Sequence, residues 1–394
     1  MNGYTVVGGG AIGGTLAFRL AQGGHAVTVV DADAGHVAAI RAGGLRIRRP
    51  DGRTERVDVR ALAPDEADGP FSAVILAVKA QATADAAAWI APRLTADGFV
   101  VSLQNGLCEP EIAEAVGPER TVAAFVNLFA DLVEPGVIAD GGPGALVIGE
   151  PHGLLPSAAM PERGAHAPAA ETGDAESTAS RDAAPSASGD IALSASGDVA
   201  PSASEAAPSA SGAVLTPRVR TLAADLGGVA SGNVAGHLWS KLAYSAVAAA
   251  SATVDAPVAD SIEAYPELTA ALAREVYAVA AAEGVRPEPF DAWRASAFLP
   301  GATDTRAALA EFCAWLRTQP KGKTGIWRDL AVRRRKTEVP ALLTPVLTRA
   351  ERYGLPCPGV RTVLRLIREL EDGTRDMSGD NLRELAHSVQ EGSR

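Results

Sequence analysis

The sequence predicts an α/β amino-terminal domain built on a parallel sheet, followed by an all-α domain. Three observations carry this. Over the first 150 residues short, fully apolar runs alternate with helical stretches, which is how a parallel sheet covered on both faces reads. The first apolar run leads straight into Gly8-Gly9-Gly10-Ala11-Ile12-Gly13, a glycine-rich turn before a helix. From about His237 onward the pattern changes to long Ala/Leu/Arg-rich stretches of 3.6-residue periodicity.

In chain order, Tyr4–Val7 is the first strand, 11–22 a helix and 26–30 a second strand of β-branched residues. Further buried strands are expected at 74–78 and 99–103, with helices between. The stretch 156–212 stands apart: it is Ala, Ser, Pro, Gly and Asp, and repeats a short Ser-Ala-Ser unit four times. Units so short cannot bury enough surface to offset the entropy of ordering, so it is expected to be a disordered insertion. It carries eight acids against two arginines, about half of the net charge of −11. Loop closure costs grow only logarithmically with length, so its flanks can remain neighbours. A helix at 218–226 would return to the first domain. The helical half follows, with stretches at 266–284, 305–318, 326–353 and 360–371. The expected division is therefore 1–155, 156–212, 213–236 as return and connection, and 237–390.

The glycine turn is a GxGxxG pattern. Gly8 permits the tight turn, Gly10 lets the backbone approach a pyrophosphate, and Gly13 lets the helix pack close to the strand, with Gly9, Ala11 and Ile12 completing the loop. Asp31, at the end of the second strand and 18 residues past Gly13, can accept hydrogen bonds from ribose hydroxyls. A carboxylate there repels a ribose 2′-phosphate, which favours NADH. The alternative for Asp31 is a strand-end turn residue.

Composition narrows the remaining classes. With 47 acidic and 36 basic side chains, the chain would repel a phosphate backbone, so nucleic acid is not expected as a partner. The run Arg333-Arg334-Arg335-Lys336 is expected on a solvated helix face. Three cysteines, 108, 313 and 357, are far apart and in no CxxC spacing, which argues against a disulfide framework and a zinc site; no metal is expected, and a reducing cytoplasm fits. The start MNGYTVVGGG has no leader pattern and no stretch reaches about 18 apolar residues, so neither secretion nor a membrane is expected.

Three segments after the glycine motif make the chain resemble the ketopantoate reductase family: Ala77-Val78-Lys79-Ala80, Leu103-Gln104-Asn105-Gly106 and Leu238-Trp239-Ser240-Lys241-Leu242-Ala243. Lys336-Thr337-Glu338 and Gly354-Leu355-Pro356-Cys357-Pro358 are similar to that family's late helix, its glutamate and the turn after it. The resemblance implies a Rossmann domain followed by a helical domain like that of 6-phosphogluconate dehydrogenases, with the active site in the cleft between. It implies NAD(P)H as cofactor, leaning to NADPH, and reduction of 2-dehydropantoate to (R)-pantoate in pantothenate and coenzyme A synthesis. By resemblance Lys241 is the general acid, Asn105 orients substrate or nicotinamide, Lys79 lies near both, and Glu338 binds the substrate's hydroxyl and helps place Lys241. A desolvated lysine can supply both the proton and the charge that a carbonyl reduction needs.

Plainer readings stand beside these: Lys241 as a solvated helix lysine, Lys79 as a strand-end surface charge, Asn105 as a turn residue before glycine, Glu338 as a helix acid pairing with Arg334 or Arg335. The chain also departs from the family. Ser245 stands where an asparagine is usual and would touch substrate; Ala249 stands where a second is expected; Gly325-Ile326-Trp327 occupies the place of a serine. These changes describe a more apolar pocket, so another ketone or an imine is the alternative substrate, and a non-catalytic dinucleotide-binding sensor is the alternative class. A small 2-oxo acid is the expected partner, and a homodimer a possible assembly.

Overall fold

The computed structural model describes residues 3–142, 144–155, 215–319 and 321–391. The expected insertion, 156–212, lies outside the described residues.

An eight-stranded sheet runs in the order β12 (Val229–Ala230), β11 (Ala145–Gly149), β8 (Thr121–Asn127), β7 (Leu94–Ser102), β6 (Phe71–Leu76), β1 (Tyr4–Val7), β2 (Val27–Val30), β5 (Arg60–Leu62). From β5 to β8 neighbouring strands are parallel, whereas β11 is antiparallel to β8. The central strands are buried along their length, as their unbroken Val/Ile/Leu runs require. Helices α1 (Ala11–Gln22), α2 (Ala34–Gly43), α3 (Thr83–Ile90) and α4 (Glu109–Val116) connect them.

Two features differ from the sequence reading. The sheet is mixed rather than purely parallel. A second sheet, β4 (Thr54–Val57), β3 (Leu45–Arg48), β10 (Val137–Asp140) and β9 (Ala130–Glu134), packs beside α1. Its strands are short and half exposed, and charged residues interrupt them, so no apolar run announced them.

After the undescribed stretch, α5 (Pro217–Leu226) is capped by the Thr216 hydroxyl and leads to β12, which pairs with β11. The rest is helical: α6 (Val234–Ser251), α7 (Val258–Ala264), α8 (Pro266–Ala282), α9 (Thr305–Thr318), α10 (Gly325–Ala331), α11 (Val339–Arg352), α12 (Pro358–Glu371) and α13 (Gly379–Glu391). The single helical stretch expected over 326–353 is two helices, α10 and α11. The basic run between them is therefore not a helix face: Arg334 has φ 48°, and Arg333 and Arg335 turn back to Asp329. Arg333 and Arg335 gain more from that carboxylate than from a straight helix that stacks four cations.

Helix α6 joins the two halves through packing. Asn233 caps it by accepting from the Gly236 N–H at 3.1 Å. Its apolar face, with Trp239, Leu242, Ala246 and Ala249 all buried, packs on α8 through side chains small enough for close approach. The same core takes in Phe125 of β8 and Leu107 before α4, so helical half and sheet share one apolar cluster. Burying a side chain of Trp239's size contributes about 2–3 kcal/mol, enough to hold α6 against the end of β8.

Candidate active site

Three strand ends, those of β1, β6 and β7, adjoin at the carboxyl edge of the sheet. The chain proceeds from β1 to β2 on one side, while β6 lies on the other, so the strand order reverses there and opens a crevice.

The glycine turn sits in that crevice. Gly8 has φ 94°, and a Cβ on it would stand 2.8 Å from the backbone of Ala77 and Val78. A Cβ on Gly13 would fall 2.0 Å from the Gly8 carbonyl. Packing dictates both glycines. Around Gly10, by contrast, no atom lies within 4 Å of that position, which leaves the room a diphosphate needs before α1. Ala11 and Ile12 open α1, whose first turn carries no acid to oppose an anion. Asp31 accepts the Gly9 N–H at 2.7 Å through Oδ2 and the Asp33 N–H at 2.8 Å through Oδ1. Its carboxylate is thus aimed at the turn, with lone pairs left over for a ligand's hydroxyls.

Lys79 follows β6 and is about half exposed; its ammonium stands 3.8 Å from Asp329 of α10. Asp329 also accepts from Arg333 at 2.7 Å and Arg335 at 3.0 Å. Burial alone would raise that carboxyl, but the two guanidiniums and Lys79 outweigh it and hold the group below its ordinary value. Lys79 therefore ties the sheet edge to the helical half. Gln104, buried after β7, donates to the Thr83 hydroxyl at 2.6 Å and the Val78 carbonyl at 3.2 Å, so it fixes the turn that carries Lys79.

Asn105 is half-buried, and its side chain makes no hydrogen bond to the described residues. Gly106, φ 93°, brings the loop against Leu342 of α11, where a Cβ would come to 3.1 Å.

Lys241 projects from α6 to the end of β8. Its ammonium donates to the Val126 carbonyl and lies 5.5 Å from the centroid of the Phe125 ring. Burial pushes the ammonium down to about 8, against the pull of the Glu338 and Asp291 charges. Glu338, half-buried at the start of α11, acts on the Cys108 thiol as well, so it stands between α6 and the loop that carries Asn105. It does not pair with Arg334 or Arg335. Ser245 lies one turn beyond Lys241, half-buried, and makes no hydrogen bond to the described residues. No hydrogen bond or ion pair joins Lys79, Asn105 or Ser245 to Lys241 among the described residues.

Four contributors were not singled out from the sequence. Asn127 donates to Asp291, which has φ 45° and faces Lys241. His36 and Gln104 support the glycine turn and the Lys79 turn. Asp291 had no local signal: it lies in an irregular loop 50 residues past Lys241. Gln104 stood inside a quoted motif but resembled any polar strand-end residue.

A cavity of about 610 Å³ is lined by Asn127, Tyr244 and Phe290 and walled further by β9 residues, α7, α9 and the segment before α10. No group of three or more His, Cys, Asp or Glu side chains among the described residues could hold a metal, and none of their helices is long and apolar enough to cross a membrane.

The description ketopantoate reductase PanE/ApbA matches residues 4–153, and its C-terminal counterpart matches residues 233–371. A 2-dehydropantoate 2-reductase of Mesorhizobium japonicum is 33% identical over 170 residues, which is 38% of this chain and 52% of that relative. The chain thus matches about half the length of this curated relative. Among solved structures, a PanE/ApbA family ketopantoate reductase from Ralstonia eutropha JMP134 aligns with a TM-score of 0.66 at 24% identity, covering 94% of this chain and 99% of that one. A D-mandelate dehydrogenase, in a ternary structure with NADH and anilino(oxo)acetate, aligns at 0.67 and 18% identity, covering 94% and 99%. These two likenesses show the fold, and the two family matches together take in most of the chain. The chain belongs to the ketopantoate reductase family.

Proposed function

We propose that this protein reduces a small 2-oxo acid to the 2-hydroxy acid with NAD(P)H, and that 2-dehydropantoate to (R)-pantoate is the first reaction to test. One observation carries the reading: the Lys241 ammonium, half-buried where α6 meets the end of β8, is lowered to about 8 against the charges of Glu338 and Asp291, at the strand edge that also bears the glycine turn. An amine in that state is charged at neutral pH and gives up its proton readily.

When bound, a nicotinamide dinucleotide supplies the hydride. The turn from Gly8 to Gly13 would hold its diphosphate and Asp31 its adenosine ribose; Lys79 and Asn105 would serve the end where cofactor and substrate meet. Lys241 Nζ holds the proton that goes to the substrate's carbonyl oxygen as negative charge develops there, and Phe125 and the Val126 carbonyl keep water from that face. Glu338 keeps the amine protonated and remains available to a hydroxyl. Asp31 favours NADH, and Arg41, the nearest cation in sequence, is committed to the Ala61 carbonyl at 2.8 Å and to Glu66; the family leans to NADPH.

A second reading, a different ketone or an imine, is favoured by Ser245 and by Ala249, whose place is fully buried in the α6 core. Non-catalytic dinucleotide sensing is the third. The proposed setting is the cytoplasm, which suits three buried free thiols. The division at 155, 212 and 236 belongs to the same reading.

The deciding experiment follows NAD(P)H oxidation with 2-dehydropantoate, using both cofactors, for the native chain and Lys241→Ala. The variant should lose roughly two to four orders of magnitude in kcat while dinucleotide affinity stays within about twofold. A variant of near-native rate sinks the role of Lys241, and cofactor binding without turnover of any carbonyl supports the sensor.

A further inference from the structure

We propose that the cavity beside Lys241 receives the side chain of a 2-oxo acid carrying an aromatic group, a larger and more apolar substituent than that of 2-dehydropantoate. The inference rests on the reductase reading above and narrows its substrate class.

Position comes first. Three lining residues are chain neighbours of Lys241 or of two groups that face its amine. Asn127 follows Val126, whose carbonyl accepts from Nζ; Tyr244 lies one helical turn along α6 from Lys241; Phe290 precedes Asp291. A carbonyl presented to Nζ therefore has its substituent at the mouth of this space.

Size and lining come next. About 610 Å³ lies within the range of roughly 300–1,000 Å³ typical of ligand pockets, far more than the dimethyl and hydroxymethyl groups of 2-dehydropantoate fill. The walls are aromatic: the rings of Tyr244 and Phe312 meet edge to face at 5.3 Å, and those of Phe312 and Trp315 stack at 5.7 Å. Such faces favour another ring. Of the polar groups nearest Val126, the Asn127 amide nitrogen is already engaged, donating to Asp291. A hydroxyl placed there without a partner would lose affinity, whereas a phenyl group would lose nothing.

Charge then selects an acid over a neutral ketone. Four cations stand on the cavity wall. Arg317 pairs with Asp260 and Glu263, Lys321 with Asp131, and Lys323 with Asp255. Arg328 has no ion-pair partner among the described residues. It leaves one positive charge for the carboxylate of the incoming molecule.

The test compares kcat/KM for phenylpyruvate, 2-dehydropantoate, pyruvate and the neutral ketone phenylacetone, with the full chain and its preferred cofactor. Phenylpyruvate should exceed pyruvate and 2-dehydropantoate by about tenfold or more and phenylacetone by about a hundredfold. Leu316→Trp and the milder Leu316→Phe, which fill the cavity from α9, should cut phenylpyruvate about tenfold and leave pyruvate within about twofold; retained pyruvate turnover reports an intact fold. The proposal is overturned if 2-dehydropantoate or pyruvate equals phenylpyruvate, if phenylacetone equals phenylpyruvate, or if both filled variants lower all acids alike. If no 2-oxo acid of any size oxidises NAD(P)H, the underlying reductase reading falls, and this narrower one with it.

Discussion

The imidazole of His36 supports the carbonyl of Gly9 in the dinucleotide turn: Nε2 lies 2.9 Å from the Gly9 oxygen, and the Gly136 N–H donates to Nδ1 at 3.0 Å. Because Nδ1 accepts, the proton is on Nε2, and the ring links the glycine turn to β10 from a site only 1% exposed. His36→Ala removes a partner from two buried backbone groups, each loss costing about 1 kcal/mol or more. NADH affinity should therefore fall about tenfold, with a smaller change in kcat once cofactor is saturating. Titration of bound NADH fluorescence measures it; native affinity in the variant would show that the turn holds its shape without the ring.

On the proposed reading Asp31 sets which dinucleotide enters. Its oxygens accept from Gly9 and Asp33; Asp31→Asn keeps one of these two acceptors, gives up the other, and removes the charge that opposes a 2′-phosphate. The ratio of kcat/KM for NADPH to that for NADH should rise about tenfold, since one unscreened contact of this kind is worth about 1–2 kcal/mol. A ratio unchanged by the substitution would remove Asp31 from the ribose site.

The pH profile follows from Lys241. Its ammonium is lowered to about 8 by burial, and the proposed role requires the acid form. Activity should thus be level through neutral pH, then fall as pH rises through about 8, approaching tenfold per unit. In Lys241→Ala that limb should vanish from the residual rate. A native profile flat to about pH 10 would place the proton elsewhere.

The parts of the fold that were legible were those with a strong local pattern. Val6-Val7, Val29-Val30 and Val74-Ile75-Leu76 read as buried strands because both of their faces are covered, and Gly8, Gly10 and Gly13 marked the turn because backbone geometry there tolerates little else. The second sheet was not legible, because Leu45–Arg48 and Ala130–Glu134 mix charged with apolar residues and one face is wet. The break between α10 and α11 was hidden by helix-forming arginines, because Asp329 four residues before Arg333 reads equally well as an i,i+4 partner within a continuous helix. In the site, Lys241 and Glu338 came through the resemblance, and burial gives the lysine its lowered proton affinity. Asp291 and His36 act through neighbours about 50 and 100 positions away, Lys241 and Gly136.

The last prediction concerns a buried acid outside that machinery. Glu109, the first residue of α4, is fully buried, and neither carboxyl oxygen completes a hydrogen bond. Burial raises it from 4.5 to about 7, against the Arg349 charge. The folded state thus binds this proton more tightly than the unfolded chain does. Its contribution to stability is fully present below about pH 4.5 and is lost as pH rises through about 7. At most the loss reaches about 3 kcal/mol, because each pKa unit is worth about 1.4 kcal/mol. Glu109→Gln carries no charge at any pH, so it should melt close to the native chain at pH 5 and several degrees above it at pH 8. Thermal denaturation at the two values decides: a native chain that outlasts the variant at pH 8 would show that the carboxylate is stabilised in its ionised form, with Arg349 as a full counter-charge.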